Sequence, residues 1–419
     1  MNQTELYNFY YQQLTSNFLP YWQKHIDQEH YGILNCLNNY GNSLVSNHKF
    51  TWSQGRFLWL LGELWKNNIT YPQMKQDMDL LYNFLTRYSV YDDFRCCFLL
   101  EQDGTKILDL KTDRYDTSIY ADCFTLIGLS QYISLFPDSE KELFAEKLYY
   151  SIRHRLETSD FLTEPYPIPD GYRVHGIPMI MIHTTHCFIH MKQVFHMDVA
   201  NEIAYVFSLI QDIFTHFVQD NLIREYIPCH PSKDISTNRM LDRHRNPGHT
   251  LEDLWFILDF LKEFDNVEHY LPKIICIARH TLEYGWDQEF GGLFRYIDCS
   301  GGQPKGESIG DSFENQLIDT WDMKLWWPHS EALYTTLYLY KLTQLEEFKH
   351  TYERIHRYTF STFPNHELGE WIQIRQRNGQ PEEKVVALPV KDPFHIMRNF
   401  LKIIELCQDN PNFINELSV

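Results

Sequence analysis

The chain lacks most of the features that would settle its class at a glance. No stretch of its sequence approaches the roughly 18 to 20 uninterrupted apolar residues that a membrane-spanning helix needs. The N-terminus, MNQTELYNFYYQQL, has no basic segment followed by an apolar one, so no signal peptide is expected. The nine cysteines are scattered and form no CxxC pair. Only Cys96 and Cys97 stand together, and adjacent cysteines seldom bond to each other. This usage fits a reducing cytosol better than a secreted disulfide scaffold, so a cytoplasmic protein is expected. Positive charge is scarce: 37 Lys and Arg stand against 56 Asp and Glu, for a formal net charge of −19. Such a chain repels polyanions, and no basic run offsets the balance, which excludes nucleic acid as a partner. No GxxxxGK[ST] loop is present to cradle a phosphate, and no HExxH to hold zinc. Linkers and low-complexity tracts are missing too, so a single domain over 1–419 fits better than two.

Aromatic and helical signals are abundant. Hydrophobic residues make up 43% of the chain, and 28 Phe, 27 Tyr and 10 Trp can fill a large core. LLYNFLTRYSVY, YADCFTLIGLSQYISLF, NEIAYVFSLIQDIFTHFV, TLEDLWFILDFLKEF and SEALYTTLYLYKLTQLEEF carry apolar residues at i, i+3, i+4 and i+7. Between such segments lie three stretches that read as β-hairpins around tight turns: Asp103-Gly104, Gly301-Gly302 and Asn378-Gly379. A short motif also returns, Asp27-Gln28-Glu29-x-x-Gly32 and Asp287-Gln288-Glu289-x-x-Gly292. Helices joined by occasional hairpins, with a repeated motif, predict an all-α toroid of helical hairpins around a central cavity. A solenoid shares the period but does not need so many buried aromatics.

Two helix starts carry histidine. In NPGHTLEDLWF (246–256), Asn246 is a good N-cap, Pro247 suits N1, and His249 falls at N3. The positive end of the helix dipole favours a neutral imidazole there. Leu251, Leu254, Trp255 and Leu258 form one face, while His249, Glu252, Asp253 and Phe256 fall opposite, so Glu252 is expected to reach and orient His249. In KDPFHIMRNFL, Asp392 is the N-cap, Pro393 takes N1, His395 falls at N3, and the charged residue three further on is Arg398. Either histidine alone could be a satisfied helix-start residue. Two neutral imidazoles in different local fields are what proton transfer near neutral pH calls for.

The stretches SQGRFLWLL, YADCFTLIGLSQY, NPGHTLEDLWF, FGGLFRY, MKLWWPHSEALY, GEW and FHIMR span nearly the whole chain. In this order they resemble the N-acylglucosamine 2-epimerase (renin-binding protein) family. The resemblance implies an (α/α)6 barrel with its active site in the central cavity. It makes His249 and His395 the proton-transferring pair and sets Arg56 against the sugar oxygens. It places Glu252 and Arg398 as polar partners of the histidines, and Trp327, His329 and Glu331 in a substrate-facing WPHSE segment. Trp327 as wall packing and Glu331 as a helix anchor are the alternatives. The family also implies a homodimer, no required cofactor and ATP as an activator, although the sequence shows no phosphate cradle. Two departures touch the substrate. The segment before the last histidine reads VVALPVKDP rather than a Gly- and Lys-rich loop. His183, in PMIMIHTTH, stands where the related aldose–ketose isomerases carry a third histidine. A metal pair of His183 and His186 is rejected, because no carboxylate or cysteine lies at matching helical spacing.

The expected activity is interconversion of N-acyl-D-glucosamine and N-acyl-D-mannosamine. In the open-chain sugar, C2 is α to a carbonyl, so one base can remove its proton and another can return one to the opposite face. The first rival is an aldose–ketose isomerase of the mannose or glucose type, with His183 in the proton relay. A glycoside hydrolase using two of Asp122, Glu331 and Glu370 leaves the histidine pair unexplained. A non-enzymatic protein-binding member has no reason to keep both histidines together with Arg56.

Overall fold

In the computed structural model, which describes residues 1–229, 238–265, 267–409, 413–414 and 416–419, the helical periods become six pairs of helices, five of them hairpins and the sixth formed by the first and last helices. In chain order these are α1 (Gln3–Gln12), α2 (Thr51–Lys66), α3 (Met74–Phe84), α4 (Ile119–Leu135), α5 (Ser139–Thr158) and α6 (Gly176–Val194). They continue with α7 (Ala200–Asp212), α8 (Pro247–Phe264), α9 (Val267–Gly285), α10 (Trp326–Thr343), α11 (Glu346–Thr362) and α12 (Phe394–Asp409). The even-numbered helices pack side by side, and α12 returns to α2 to close an inner ring. Each odd-numbered helix packs outside an even one, α1 against α12. This is the expected all-α (α/α)6 barrel.

Side-chain pattern decides which helix goes inside. In α10 every residue from Pro328 to Tyr340 is buried, as a helix enclosed on all sides must be. In α11 the buried residues are Phe348, Tyr352, Glu353, Ile355, His356 and Thr359, a single stripe facing inward. Adjacent inner helices approach closely where the sequence supplies glycine. A Cβ on Gly55 of α2 would lie 2.3 Å from the Phe124 carbonyl oxygen, and one on Gly128 of α4 would lie 2.4 Å from that of Gly55. No helix among the described residues is long and apolar enough to cross a membrane.

The strand pairing bears out two of the three expected hairpins and adds a tertiary partner to each stretch. The turns form: Gly104 N–H donates to Glu101 O, Gly301 N–H to Asp298 O, and Gly379 N–H to Gln376 O. Around Asp103-Gly104 and Asn378-Gly379 the two arms also bridge each other, at Leu100–Lys106 and Arg375–Pro381, and the first arm of all three pairs in addition with a strand far away in sequence. Leu99–Leu100 pairs with Lys49–Phe50, Ile297–Asp298 with His244–Arg245, and Ile374–Arg375 with Lys324–Leu325. Tyr226–Pro228 likewise pairs with Tyr172–Val174. Each of these distant partners lies just before an inner helix, so the ladders pin the N-terminal ends of α2, α8, α10 and α6. Turn chemistry marks where the chain reverses, and the first arm offers its remaining edge to a tertiary partner: Ile107 N–H still donates to Leu99 O across one turn and Glu382 N–H to Ile374 O across another.

The returning motif is a structural repeat. Lys49 Nζ lies 2.8 Å from Asp27 and Lys324 Nζ 3.0 Å from Asp287, both pairs buried. Five residues after each lysine, a side chain accepts a backbone N–H from the same loop: Gln54 Oε1 from Ile33 at 2.7 Å, His329 Nε2 from Leu293 at 2.8 Å. Two residues further on stand Arg56 and Glu331.

Candidate active site

The pinned helix ends surround a cavity of about 210 Å³. Its chemistry begins at α8. Asn246 caps the helix by accepting the His249 N–H at 3.2 Å, with Pro247 in the first turn, as its sequence predicts. Gly248 is required by its neighbour: a Cβ there would come within 2.4 Å of the Trp327 ring. His249 therefore stands beside Trp327, ring centroids 5.2 Å apart, with a third of its side chain open to the cavity.

The partner of His249 is not the expected one. Its Nδ1 lies 2.8 Å from Glu225, whereas Glu252 turns away to Arg398. Glu225 precedes the strand Tyr226–Pro228, whose partner strand ends at Val174, so the ladder sets His175 beside it. The His175 N–H donates to the Glu225 carbonyl at 2.8 Å. The His175 ring lies 3.6 Å from a Glu225 carboxylate oxygen through Nδ1 and 3.0 Å from Asp253 through Nε2. Burial alone would lower the His175 pKa, but Asp253 and Glu225 outweigh it and raise it to about 9. Burial opposes the charge on Glu225 as well, and His249 and His175 overcome it and hold this carboxyl well below its usual range.

His395 also packs against Trp327, ring centroids 5.5 Å apart. Its helix begins at Phe394, whose N–H donates to Asp392 at 2.9 Å. The other Asp392 oxygen is taken by an ion pair with Arg56. His395 Nδ1 is 2.7 Å from Glu331. Glu331 also accepts from Arg398 at 2.6 Å, Asn399 at 2.8 Å and Trp255 Nε1 at 2.7 Å. Arg398 pairs with Glu252 in turn, and Glu252 lies 3.6 Å from His395. Burial pushes the His395 pKa down to about 3, so it is a neutral imidazole near pH 7. Beside each histidine a carboxylate accepts from Nδ1–H, the tautomer that leaves Nε2 as the basic nitrogen.

Arg56 lines the same cavity. Its guanidinium lies 4.0 Å from the Phe124 ring, 5.0 Å from Phe394 and 5.1 Å from Trp52, a planar cation held by aromatic faces. Burial makes the charge harder to hold, and Asp392 is the group that chiefly offsets it. The departing segment before α12 forms an apolar wall of Val386, Ala387, Leu388 and Val390. Arg295 Nη2 and Gln316 Nε2 hold that wall by donating to the Val386 carbonyl, the first at 2.8 Å.

Of the residues singled out from sequence, His249, His395, Arg56, Glu252 and Trp327 line the cavity. Four others do not, and each has a physical reason. His183 lies beneath Phe256, stacked ring on ring at 4.4 Å, and burial holds its pKa far below 6.5. His329 is wholly buried and serves the repeat loop through Leu293 and the Leu325 carbonyl. Glu331 and Arg398, also fully buried, stand behind His395. Of the hydrolase candidates, Asp122 is buried against Arg155 and Glu370 against Lys391, so neither faces the cavity. Sequence reading missed Glu225, His175 and the Arg56–Asp392 pair, because strand pairing and helix docking bring them together rather than spacing.

Two groups among the described residues bring three ligating side chains together. In Glu252, Glu331 and His395 the Arg398 guanidinium already fills the centre. In the other, His186 and His190 of α6 both meet Glu263 of α8, at 2.9 and 2.7 Å. This donor set could hold a cation about 20 Å along α8 from His249. The carboxylate that helical spacing failed to offer His186 comes from the neighbouring helix.

The comparisons agree with this architecture. The mouse (Mus musculus) N-acylglucosamine 2-epimerase is 27% identical over 404 residues, covering 91% of this chain and 87% of its own. The structure of cellobiose 2-epimerase from Spirochaeta thermophila superposes with a TM-score of 0.76 at 16% identity, over 97% of this chain and 98% of the other. That of a D-mannose isomerase does so at 0.73 and 17%, over 95% and 98%. These two likenesses speak to the fold. The family model of N-acylglucosamine 2-epimerase (GlcNAc 2-epimerase) matches residues 32–398, from the first repeat loop to the arginine behind His395, and the chain belongs to that family of isomerases.

Proposed function

We propose that the protein is a sugar 2-epimerase that interconverts N-acyl-D-glucosamine and N-acyl-D-mannosamine, with His249 and His395 as its two proton-transferring groups. One observation carries this reading: two imidazoles line one cavity, both packed against Trp327 and each held at Nδ1 by its own carboxylate. In the open-chain sugar, one Nε2 takes the C2 proton and the C–H electron pair moves toward the C1 carbonyl, giving an enolate. The other imidazole then delivers a proton to the opposite face of C2, and both histidines re-equilibrate with solvent. Arg56 sets a fixed positive charge toward the developing oxyanion, an effect of about 3 kcal/mol in such sites. The apolar wall at Val386–Leu388 suits a C2 substituent that carries carbon, as an acyl group does.

The aldose–ketose isomerase reading requires His183 in the proton relay, and the stacked Phe256 ring separates His183 from the cavity. Product analysis by NMR after incubation with N-acetylglucosamine, N-acetylmannosamine, glucose and mannose tests the choice. Interconversion of the two acetamido sugars is expected, and formation of a ketose would overturn it. The family resemblance also supports a cytosolic homodimer that needs no resident cofactor and is activated by ATP. Light scattering, and rates with and without ATP, check these points.

A further inference from the structure

The two histidines are backed by the same sequence of charges. Behind His395 stand Glu331, then Arg398, then Glu252. Behind His249 stand Glu225, then His175, then Asp253. In each, a buried cation lies between two buried carboxylates, and the nearer carboxylate holds the catalytic imidazole. The cations differ in kind. A guanidinium keeps its charge at any pH the fold survives, whereas an imidazolium can lose it.

We propose that His175 is the positioning residue of the His249 arm, doing there what Arg398 does for His395, and that losing its charge disables that arm alone. The inference rests on the two-histidine reading above. With His175 neutral, Glu225 and Asp253 would be buried carboxylates without a cation between them. The two anions would repel across a neutral ring, and Glu225 would no longer be held in place to anchor the Nδ1–H of His249.

The groups around this arm leave His175 as the one that switches. It is faced by Asp253 from α8 and by Glu225 from the strand side, with the Phe217 ring 5.8 Å away. Glu225 is faced in addition by His249, His244 and Arg245, and by the phenols of Tyr120, Tyr226 and Tyr296. Burial holds His244 neutral, at about 4, and pushes all three phenols up. Burial also lowers Arg245, but a guanidinium remains protonated through this range. His175 is therefore charged below about pH 9 and loses its proton above it, lifted there by its two carboxylates against burial. On the other side, Glu331 and Glu252 outweigh burial and raise the Arg398 pKa, so no comparable limb is expected there.

The test is exchange of the C2 hydrogen in D₂O, followed by NMR separately for N-acetylglucosamine and N-acetylmannosamine, with glucose and mannose as further probes, from pH 7 to 10.5. In the wild-type enzyme, exchange of the epimer whose proton His249 removes should fall about tenfold per pH unit above the His175 pKa, while that of the other epimer stays level. His175→Gln should show the loss already at pH 7.5, at least tenfold and for the same epimer only, with no further alkaline limb. Asp253→Asn, which removes one of the carboxylates that lift His175, should move the limb to lower pH. Parallel alkaline profiles for both epimers in the wild type would overturn the proposal, and that measurement needs no variant to fold. Equal loss of both exchanges in a folded His175→Gln would do the same. Absence of C2 exchange in the wild type with all four sugars would instead overturn the two-histidine reading, and this inference with it.

Discussion

His249 and His395 are held alike at Nδ1 but differ in what surrounds them. A third of the His249 side chain is open and it has one direct partner, Glu225. His395 is nine-tenths enclosed, and its carboxylate is the hub of four donors: His395 itself, Arg398, Asn399 and Trp255. A buried hub fixes geometry firmly but makes the fold depend on it. An open arm tolerates change more easily and needs its charge maintained from behind. Substitutions should therefore separate the two sides by how far they damage stability as well as rate.

The largest effect should follow Glu331→Gln. It removes the anion between His395 and Arg398, and breaking such a buried pair costs about 3 to 5 kcal/mol. Both a lowered thermal midpoint and a fall in kcat of about 10²-fold or more are expected. Glu225→Gln should lower kcat while leaving the midpoint nearer the wild type. Equal loss of stability in the two variants would remove the distinction between hub and open arm.

Arg56→Lys comes next. The guanidinium is shared among three aromatic faces and Asp392, a planar arrangement that an ammonium cannot reproduce. Steady-state kinetics should show kcat falling more than KM rises; a change confined to KM would mean that Arg56 binds only the ground state.

His183→Asn should be milder, keeping at least a tenth of the activity, because Phe256 lies between this ring and the cavity. A folded variant that loses about 10²-fold or more would place His183 in a proton relay and favour the isomerase. The smallest effect is expected from His329→Gln. Gln54 does the same work in the other repeat, accepting from Ile33 N–H and donating to its carbonyl. The variant should unfold within a few degrees of the wild type, whereas His329→Leu leaves the Leu293 N–H unsatisfied and costs about 1 to 3 kcal/mol.

The same comparison shows how much the sequence reveals. Helical period and the Asn246-Pro247 and Asp392-Pro393 starts act within one or two turns, so the barrel and both histidine positions can be read directly. The repeat motif is legible as well, because Asp27 and Asp287 order their own loops through the N–H groups of Glu29 and Glu289. Partners across the barrel are not legible. Spacing of three residues directs Glu252 toward His249, but the fully buried Arg398 on α12 needs a second anion and captures it. Glu225 and His175 meet only because two strands pair in a given register. His329 has the look of a substrate ligand in its WPHSE setting, and its role in the loop becomes evident only beside Gln54.

The central claim is that the two imidazoles serve opposite faces of one enolate. Replacing either with Asn, and following C2–H exchange of each epimer in D₂O, tests it most directly. Both His249→Asn and His395→Asn should lose net epimerisation, since the opposite-face proton can no longer be removed or delivered. Each should still exchange the C2 hydrogen of one epimer through the histidine that remains, with one variant labelling the gluco sugar and the other the manno sugar. Exchange of the same epimer by both variants, or one variant dead toward both sugars while the other stays partly active, would contradict the account.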